Sequence, residues 1–303
     1  MDTLELGKTI KEIRKARKYT QKELADGICT QAYISKLESG FIIPSADFLY
    51  RISIRMGISM NDFFLNKDSI RRDYFNDIDL FVRQKLKESD FKAILDLIEK
   101  EVKNPLLTSK ADKQFFMWHK GVCIFYLHND LEKALQLLTD GLYYIYEKET
   151  QFTQREVEIL VSIGNIYNDS KDYLQAEESY KKAIRIIKEL SMKTVKTTIY
   201  IRVLYNYSKL LYRRSEYTLS LKYVNEAILK CISIDSLYLL GDLKYQKGLI
   251  LLQLNQYQRS REAMLEASYL FKVQNNYKYF EHVQNQITKN MDLKLFKNDK
   301  DLG

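Results

Sequence analysis

The side chains best suited to chemistry lie near the N-terminus, and the chemistry that they support is hydrogen bonding to a partner molecule. A helix predicted to begin near residue 30 carries the following residues at its start: Thr30, Gln31, Ala32, Tyr33, Ser35 and Lys36. A glutamine can form two hydrogen bonds with adenine, a lysine can donate to guanine, and a serine can bond to either base. A tyrosine can pack against a thymine methyl group or bond to a phosphate. This face therefore predicts contact with DNA bases. The alternative is an ordinary helical hairpin with a polar surface.

Two short helices must position these side chains. Thr20 and Glu23 have the spacing of a capping box, which predicts the start of the first helix. Gln21 begins that helix, where the backbone N–H groups form a favourable place for a DNA phosphate. Thr30 is the candidate N-cap of the second helix. Gly40 supplies the left-handed residue that ends it.

The N-terminal segment is predicted to form a basic helix beside this pair. Residues 1–22 contain seven cationic side chains: Lys8, Lys11, Arg14, Lys15, Arg17, Lys18 and Lys22. Such side chains, Arg14 among them, would make salt-dependent phosphate contacts, and the alternative for each is a solvated helix face. Apolar residues at helical spacing would close a small core: Leu6, Ile10, Ile13, Leu49, Ile52, Met56 and Phe63. The sequence thus predicts a five-helix domain over residues 1–65.

The composition of the whole chain favours an all-helical protein. Only 10 Gly and 2 Pro occur in 303 residues, which leaves few turns, and 46% of the residues are hydrophobic and can build cores. The net charge of +8 suits a polyanionic partner. No run approaches 18 uncharged apolar residues, so we expect no contact with a membrane.

The cysteines and histidines give no sign of catalysis. Cys29, Cys123 and Cys231 lie far apart without a CxxC pair, which argues against a disulfide framework or a zinc site and favours the cytoplasm. His119 and Cys123 have the spacing of half a metal site, but no further His or Cys lies nearby. No motif typical of an enzyme is present. We therefore expect neither an enzyme nor a cofactor.

The strings TQKELA and ISKLESG, followed by a helix start at Pro44 and Ser45, carry a resemblance to a known family. Residues 6–64 resemble the helix-turn-helix domain of XRE/Cro/C1-type repressors. The turn Ile28-Cys29-Thr30 departs from the Gly-Val/Ile-Ser/Thr turn that is common in these repressors, and it is one residue shorter. The resemblance implies that the face after Thr30 contacts DNA bases, while the shorter turn leaves their register open.

From residue 66 onward the chain shows internal repeats. Asn66 to Ser69 form a polar hinge, after which each predicted helix pair has a small residue at the start of its second helix: Ala93, Ala134, Ala176, Ser220 and Ser260. The steps between these residues are 41, 42, 44 and 40, longer than the 34 residues of a standard tetratricopeptide repeat. Residues 66–303 are therefore predicted to form a right-handed superhelix of about five degenerate tetratricopeptide repeats, capped by a helix over residues 277–290. The alternative is a non-repeating helical bundle.

A superhelix of this kind holds extended peptides in a groove lined by the first helix of each pair. Polar and aromatic residues on those helices are candidates for peptide contact: Asn165, Asn206, Lys209, Gln246, Tyr126, Tyr205 and Tyr245. An asparagine amide can bond to a peptide backbone whatever its side chains are. Arg83 and Lys85 are candidates for a peptide carboxylate. The alternative for each polar residue is a solvated or inter-helix hydrogen bond.

The combination of the two domains, with the strings IGNIY, YNYSK and YQKG, resembles the peptide pheromone receptors of Gram-positive bacteria, the Rgg/Rap/NprR/PlcR/PrgX group. The short turn with Cys29 and the ESG string at Glu38 to Gly40, together with the same strings, resemble the PlcR-like regulators of bacilli in that group. The resemblance implies a cytoplasmic homodimer that binds a re-imported signalling peptide and activates transcription from palindromic promoter DNA. It also implies that the bound peptide is contacted by Asn165, Asn206, Lys209 and Gln246.

Two alternative functions remain open at this point. One is an XRE-type repressor that is constitutive, or whose repeats bind a protein partner or a phage-type signal. It would not respond to short peptides. The other is a phosphatase or anti-activator in which similar repeats hold a response regulator. The polar face from Thr30 to Lys36 argues against that class, because such proteins lack a DNA-binding helix.

Overall fold

The structure is a computed structural model, and it describes residues 3–64, 68–190 and 196–289, without the side chains of residues 68–70. Within these ranges every regular element is helical: fifteen α-helices and two short 3-10 helices, with no strand. The predicted all-α class is confirmed. Of the hinge predicted at residues 66–69, residues 66 and 67 lie outside the described residues, whereas Asp68 and Ser69 begin a helix.

The chain divides into two compact units, the first of residues 1–90 with 104–107 and the second of residues 91–103 with 108–303. The division predicted between residues 65 and 66 differs from this one. The difference arises because a long helix, Asp68–Glu88, groups with the first unit. The assignment of residues 1–65 and 66–303 to two functional domains stays a prediction.

The described part of the first unit contains five α-helices and one 3-10 helix. In chain order they are α1 (Thr3–Ala16), α2 (Gln21–Ala25), α3 (Gln31–Glu38), α4 (Ala46–Met56), the 3-10 helix Met60–Phe64, and α5 (Asp68–Glu88). The core consists of apolar residues that are completely buried, among them Ile10, Leu24, Ile34, Leu37, Ile52 and Phe63. The apolar spacing seen in the sequence therefore does close a small core around α2 and α3.

Two glycines bring α1 and α3 close together. A Cβ atom at Gly7 of α1 would clash with the backbone carbonyl oxygen of Leu37 near the end of α3. Gly40 follows α3 with a φ of +78°, and a Cβ there would lie 2.7 Å from the Cα of Leu4. Gly40 therefore ends α3 as predicted, and it also allows the chain to pass against the start of α1.

The described part of the second unit contains ten helices. In chain order they are α6 (Phe91–Glu101), α7 (Lys110–His128), α8 (Leu131–Leu142), α9 (Gln154–Asp169), α10 (Tyr173–Glu189), α11 (Thr197–Arg213), α12 (Tyr217–Ser233), α13 (Leu240–Gln253), α14 (Tyr257–Val273) and α15 (Tyr277–Ile287). A 3-10 turn, Glu149–Gln151, precedes α9. Helices α7 to α14 pack as four consecutive pairs, and α15 packs on α14. The predicted first copy around Ala93 corresponds to α6, which packs on α7.

In three of the four pairs, small residues at the predicted positions allow the two helices to approach closely. A Cβ on Gly121 of α7 would lie 3.0 Å from the carbonyl oxygen of Ala134 in α8. In the third pair, Ser220 Oγ donates to the carbonyl of Ser208 at 2.8 Å. In the fourth, the hydroxyl of Ser260 donates to the carbonyl of Gly248 at 2.6 Å. The small residue at the start of the second helix thus allows the backbones of the two helices to approach closely in successive repeats, because only a side chain of one or two heavy atoms fits there.

No helix in the described residues has the length and apolar character that a membrane span requires.

Candidate functional site

The caps predicted for α2 and α3 are formed. The Thr20 hydroxyl accepts from the Glu23 backbone N–H at 3.1 Å, and the Thr20 N–H donates to the Glu23 carboxylate at 2.7 Å. These hydrogen bonds lower the pKa of Glu23. The Thr30 hydroxyl accepts from the Tyr33 N–H at 3.2 Å. The first turns of both helices are therefore fixed by the sequence itself.

A chain of hydrogen bonds runs from α1 to the start of α3. Arg14 binds both carboxylate oxygens of Glu38, through Nε at 2.5 Å and Nη2 at 3.0 Å, and its Nη1 donates to the Tyr19 carbonyl at 2.6 Å. Gln21 Nε2 donates to the same carboxylate at 2.9 Å. Gln31 Nε2 donates to Gln21 Oε1 at 2.7 Å. The Gln31 side chain is thus braced by a network that begins at the buried Arg14.

The Glu38 carboxylate is the centre of this network and is almost fully buried. Burial alone would raise its pKa. The hydrogen bonds from Arg14 and Gln21, together with the charge of Arg14, outweigh that effect and hold the pKa of Glu38 below its ordinary value. A paired, ionised carboxylate at this position fixes both neighbouring side chains.

The brace leaves Gln31 with the groups that adenine requires. An amide has two N–H donors and one carbonyl acceptor, and the bond to Gln21 uses one donor. The remaining N–H and the oxygen match the N7 acceptor and the N6 amino donor of adenine in the major groove. Because Gln31 is exposed, these groups are accessible to a partner.

The other predicted base-contact residues differ in exposure. Ala32 and Lys36 are exposed, whereas Ser35 is half-buried. Tyr33 is also half-buried and packs against Phe48, with 4.8 Å between the ring centroids. A surface cavity of 750 Å³ lies beside the start of α3 and is lined in part by Thr20, Gln21, Lys22, Gly27, Cys29 and Gln31.

Arg14 does not have the position that its sequence context suggested. We expected it on the solvated face of α1 in contact with a phosphate, but its guanidinium is buried and engaged by Glu38 and Tyr19. The spacing contained the signal: Arg14 follows Ile10 by four residues, and Glu38 follows Ile34 by four, so both lie on buried faces. Lys11 and Lys15 are exposed and keep the predicted phosphate-contact role.

Sequence reasoning also missed Arg55 of α4. Its guanidinium donates to the backbone carbonyls of Glu23 and Asp26, which are at the end of α2. These carbonyls lack helical partners because α2 has only five residues. Arg55 therefore stabilises a helix too short to be stable alone.

In the second unit, Asn206 and Gln246 occupy corresponding positions on α11 and α13, two residues before Ser208 and Gly248. The Asn206 side chain is half-buried and forms no hydrogen bond within the described residues. Gln246 is buried, and its Nε2 has no hydrogen-bond partner among the described residues. Two adjacent first helices thus present amides whose hydrogen-bonding capacity is unused.

Lys209 and Tyr205 lie next to these amides on α11. The Lys209 ammonium is 5.4 Å from the centre of the Tyr205 ring. Burial lowers the pKa of Lys209, and the charge of Arg213 adds to this effect, while Asp169 and Asp242 oppose it. Asp242 of α13, which sequence reasoning missed, has a pKa raised by burial. Lys209 and Asp242 are therefore both desolvated without forming a close ion pair with each other.

Asn165 and Tyr245 have partners of their own. Asn165 Oδ1 accepts a hydrogen bond from the Tyr180 hydroxyl at 2.6 Å. The oxygen of this amide therefore forms an inter-helix hydrogen bond, which was the alternative to peptide contact. The Tyr245 hydroxyl is 3.0 Å from Nε2 of His282 in α15. Burial raises the pKa of Tyr245 and of Tyr205.

Tyr126 and Arg213 tie three first helices together. The Tyr126 hydroxyl donates to the Asp169 carboxylate at 2.8 Å, and Arg213 donates to the same carboxylate at 2.9 Å. Helices α7, α9 and α11 are thus joined at one carboxylate. Tyr126 serves this junction in addition to the peptide contact that we expect of it.

Arg83 and Lys85 lie on α5, which belongs to the first unit, whereas the other peptide-contact candidates belong to the second. Arg83 pairs with Asp79 at 2.6 Å. Lys85 pairs with Glu88 at 2.7 Å and with Asp90 at 3.3 Å. Their role toward a peptide carboxylate stays a prediction.

Comparison with known families finds two matches. Residues 79–290 match the RNPP family C-terminal domain, and residues 10–63 match a helix-turn-helix family. A comparison with curated protein sequences gave no match.

Several solved structures are similar to the chain over most of its length. Bacillus thuringiensis PlcR, in complex with the peptide PapR7 and DNA, has a TM-score of 0.77 and 29% identity, covering 92% of this chain and 99% of that one. The apo form of the same protein has a TM-score of 0.66 and 26% identity, covering 94% and 99%. The pheromone receptor Rgg2 of Streptococcus dysgalactiae has a TM-score of 0.61 at 17% identity, covering 94% and 99%. This last similarity concerns the fold alone.

Proposed function

The chain belongs to the RNPP family, and we propose that it is a cytoplasmic transcriptional regulator that binds promoter DNA as a homodimer and responds to a short signalling peptide. One observation carries the proposal: a braced helix-turn-helix precedes helical repeats whose first helices present unpaired amides. The similar PlcR structure holds both a peptide and DNA, which supports the pairing of these two functions in one chain.

In this proposal α3 is the recognition helix. Gln31 pairs with an adenine, while Ser35 and Lys36 contact neighbouring bases. The other predicted residues, Thr30, Ala32 and Tyr33, line the surface of α3 that faces the major groove. Gln21 holds Gln31 in position and, together with the exposed lysines of α1, lies close to the DNA backbone. In a homodimer two such helices enter successive major grooves about 34 Å apart, so the operator is an interrupted palindrome.

The peptide is held by the first helices of the repeats. Asn206 and Gln246 bond to its backbone, which satisfies amides that are otherwise unpaired. The same surface is bordered by Tyr205, Tyr245 and Lys209. Asn165 contributes a further contact from α9. The peptide changes DNA affinity only if it binds the DNA-competent arrangement more tightly, and a tenfold change requires about 1.4 kcal/mol of coupling. We propose that the effect is activation.

The test is fluorescence anisotropy of the full chain on its own promoter DNA. The titration is run with and without a synthetic C-terminal fragment of the small peptide encoded next to the gene. DNA binding that changes with the peptide supports the proposal and gives the sign of regulation. Specific DNA binding that ignores the peptide would favour a constitutive or protein-gated repressor.

A pair of asparagine variants sharpens this test. Asn206→Ala should abolish the peptide response and leave basal DNA affinity unchanged, because the residue lies far in sequence from the DNA-binding helices and its side chain forms no hydrogen bond within the described residues. Asn225→Ala is the matched control, since Asn225 is also half-buried but lies on the second helix of the same pair. If both variants lose the response equally, the assignment of the peptide surface to the first helices is wrong.

A further inference from the structure

Tyr180 of α10 brings a polar group to a position where the repeat needs only an apolar side chain. It lies four residues after Ala176, the small residue at the start of the second helix. The corresponding residues of the other helix pairs are apolar, and all four side chains are completely buried: Leu138, Tyr180, Val224 and Met264. Packing between the paired helices therefore does not account for the Tyr180 hydroxyl.

A glycine on α9 makes room for the Tyr180 ring. A Cβ at Gly164 would lie 2.6 Å from Cε1 and 2.9 Å from Cδ1 of that ring, closer than side chains tolerate. The ring thus packs directly on the backbone of α9, and its hydroxyl donates to Oδ1 of the next residue, Asn165, at 2.6 Å. Gly164 and Tyr180 together bring a hydroxyl of the second helix to a side chain of the first.

Asn165 lies on the face of α9 that meets the neighbouring first helices. Asp169, one turn later on the same helix, accepts from Tyr126 of α7 and from Arg213 of α11. Residues four apart lie on one face of a helix, so the half-buried Asn165 shares this face with Asp169. This is the face of the first helices to which we assign the peptide.

The hydroxyl determines which end of the Asn165 amide is available to a ligand. Burial, followed by the charge of Asp169, raises the pKa of Tyr180, so the hydroxyl keeps its proton and remains a donor. It therefore holds the amide oxygen. The two N–H donors on Nδ2 form no hydrogen bond within the described residues. The matching group of an extended peptide is a backbone carbonyl oxygen.

We propose that Tyr180 is a positioning residue for the peptide: it holds the oxygen of Asn165 so that the Asn165 amide donates to a backbone carbonyl of the bound peptide. This inference rests on the proposed function, in which Asn165 contacts the peptide. It gives a part in recognition to a side chain that is buried between two helices and acts only through Asn165.

The test is the variant Tyr180→Phe, which removes one oxygen and keeps the ring. Peptide affinity is measured by anisotropy of a fluorescently labelled synthetic C-terminal fragment of the small peptide encoded next to the gene, titrated with the full chain. The dissociation constant should rise about fivefold, because the freed amide can turn its oxygen toward the peptide carbonyl.

Tyr207→Phe is the matched control. Tyr207 is also buried, and its hydroxyl donates at 2.8 Å to the carboxylate of Glu177 on α10, not to a candidate peptide contact. Removal of this hydroxyl should leave peptide affinity at the wild-type value. The pair of variants thus compares two buried tyrosine hydroxyls that differ in the side chain that they hold.

A second measurement separates positioning from a general loss of stability. In an Asn165→Ala background, Tyr180→Phe should cause no further loss of peptide affinity, because the residue through which it acts is absent. Asn165→Asp keeps an acceptor for the Tyr180 hydroxyl but has no N–H donor. Its dissociation constant should rise at least about tenfold, since a carboxylate would face the peptide carbonyl.

Three results would overturn the proposal: wild-type peptide affinity in Tyr180→Phe, a loss in that variant that persists in the Asn165→Ala background, or wild-type affinity in Asn165→Asp. In each case the wild-type chain still binds the peptide, so the proposed function stands. A wild-type chain that does not bind the peptide overturns the proposed function, and the role of Tyr180 with it.

Discussion

The two candidate surfaces differ in whether their side-chain amides have hydrogen-bond partners within the chain. At the start of α3, Gln31 is braced through Gln21 and Glu38 to the buried Arg14, so the amide is oriented before DNA arrives. On the first helices of the repeats, neither the Asn206 side chain nor Nε2 of Gln246 has a hydrogen-bond partner among the described residues. Gln246 is buried, and a buried N–H without a hydrogen bond costs about 1–3 kcal/mol, which a bound peptide backbone could recover. In the proposed function, the first surface is oriented before DNA binds, whereas the second gains hydrogen-bond partners only when the peptide binds.

The brace should be the more sensitive region, and Glu38→Ala should have the largest effect on it. Removal of one partner from a buried ion pair costs about 3–5 kcal/mol, because the Arg14 guanidinium would stay buried without a counter-charge. We expect amide hydrogen exchange in α1, α2 and α3 to accelerate while that of α9 to α14 is unchanged. The double variant Arg14→Met/Glu38→Leu is the control. If it is as unstable as Glu38→Ala, the loss comes from packing and not from an unpaired charge.

Acid should weaken the same ion pair. The pKa of Glu38 is lower in the folded chain than its ordinary value of 4.5, so its contribution to stability is complete above that value and is lost as the pH falls through the folded pKa. Hydrogen exchange in α1 to α3, referred to α13, should therefore rise as the pH falls below about 4.5. A Glu38→Gln variant should not show this step, and an unchanged step in that variant would assign it to another carboxyl group.

Gly7→Ala should have the second largest effect. A Cβ at this position would clash with the Leu37 carbonyl, and separating α1 from α3 would cost about 1–3 kcal/mol. Gly141→Ala in α8 is the matched control, because the nearest atom to its new Cβ would lie 3.6 Å away, an ordinary contact. The free energy of unfolding of each unit, followed by hydrogen exchange, should fall only for Gly7→Ala. Equal losses would show that the clash with the Leu37 carbonyl does not decide the outcome.

Affinity for the operator DNA should show how much the hydrogen bond between Gln21 and Gln31 contributes to specific binding. Gln31→Ala should weaken specific binding by roughly 1–3 kcal/mol and leave non-specific binding unchanged. Gln21→Ala should cost less, about 1 kcal/mol, because Gln31 keeps its base contact but loses its support. A double-mutant cycle measured by anisotropy should give a coupling energy between the two sites. Additive losses would show that the hydrogen bond between them does not assist DNA binding.

The sequence predicted features that local residue patterns determine, such as helix caps, and it missed features that depend on how distant helices pack. The caps at Thr20 and Thr30 follow from local rules, as does the close contact at the small residues of each repeat. The Arg14–Glu38 pair joins residues 24 positions apart, and its burial depends on how α1 crosses α3. Asp242 was missed for a similar reason, since its desolvation depends on the packing of α13 against α11. Helical spacing would have placed Arg14 and Glu38 on buried faces, but it could not have shown that they meet.

The smallest and most discriminating effect is expected for Gln246→Leu on the second surface. Leucine has nearly the same volume and carries no donor, so it removes a buried N–H that has no partner among the described residues. Stability without peptide should therefore stay level or rise by about 1 kcal/mol, whereas the same change at Gln21 should lower it. The peptide response should be lost at the same time, because the peptide backbone loses a donor. Chemical denaturation and peptide titration of one protein sample measure both quantities. If Gln246→Leu destabilised the chain, the Gln246 amide would be satisfied within the fold, and the contrast between the two surfaces would fail at that residue.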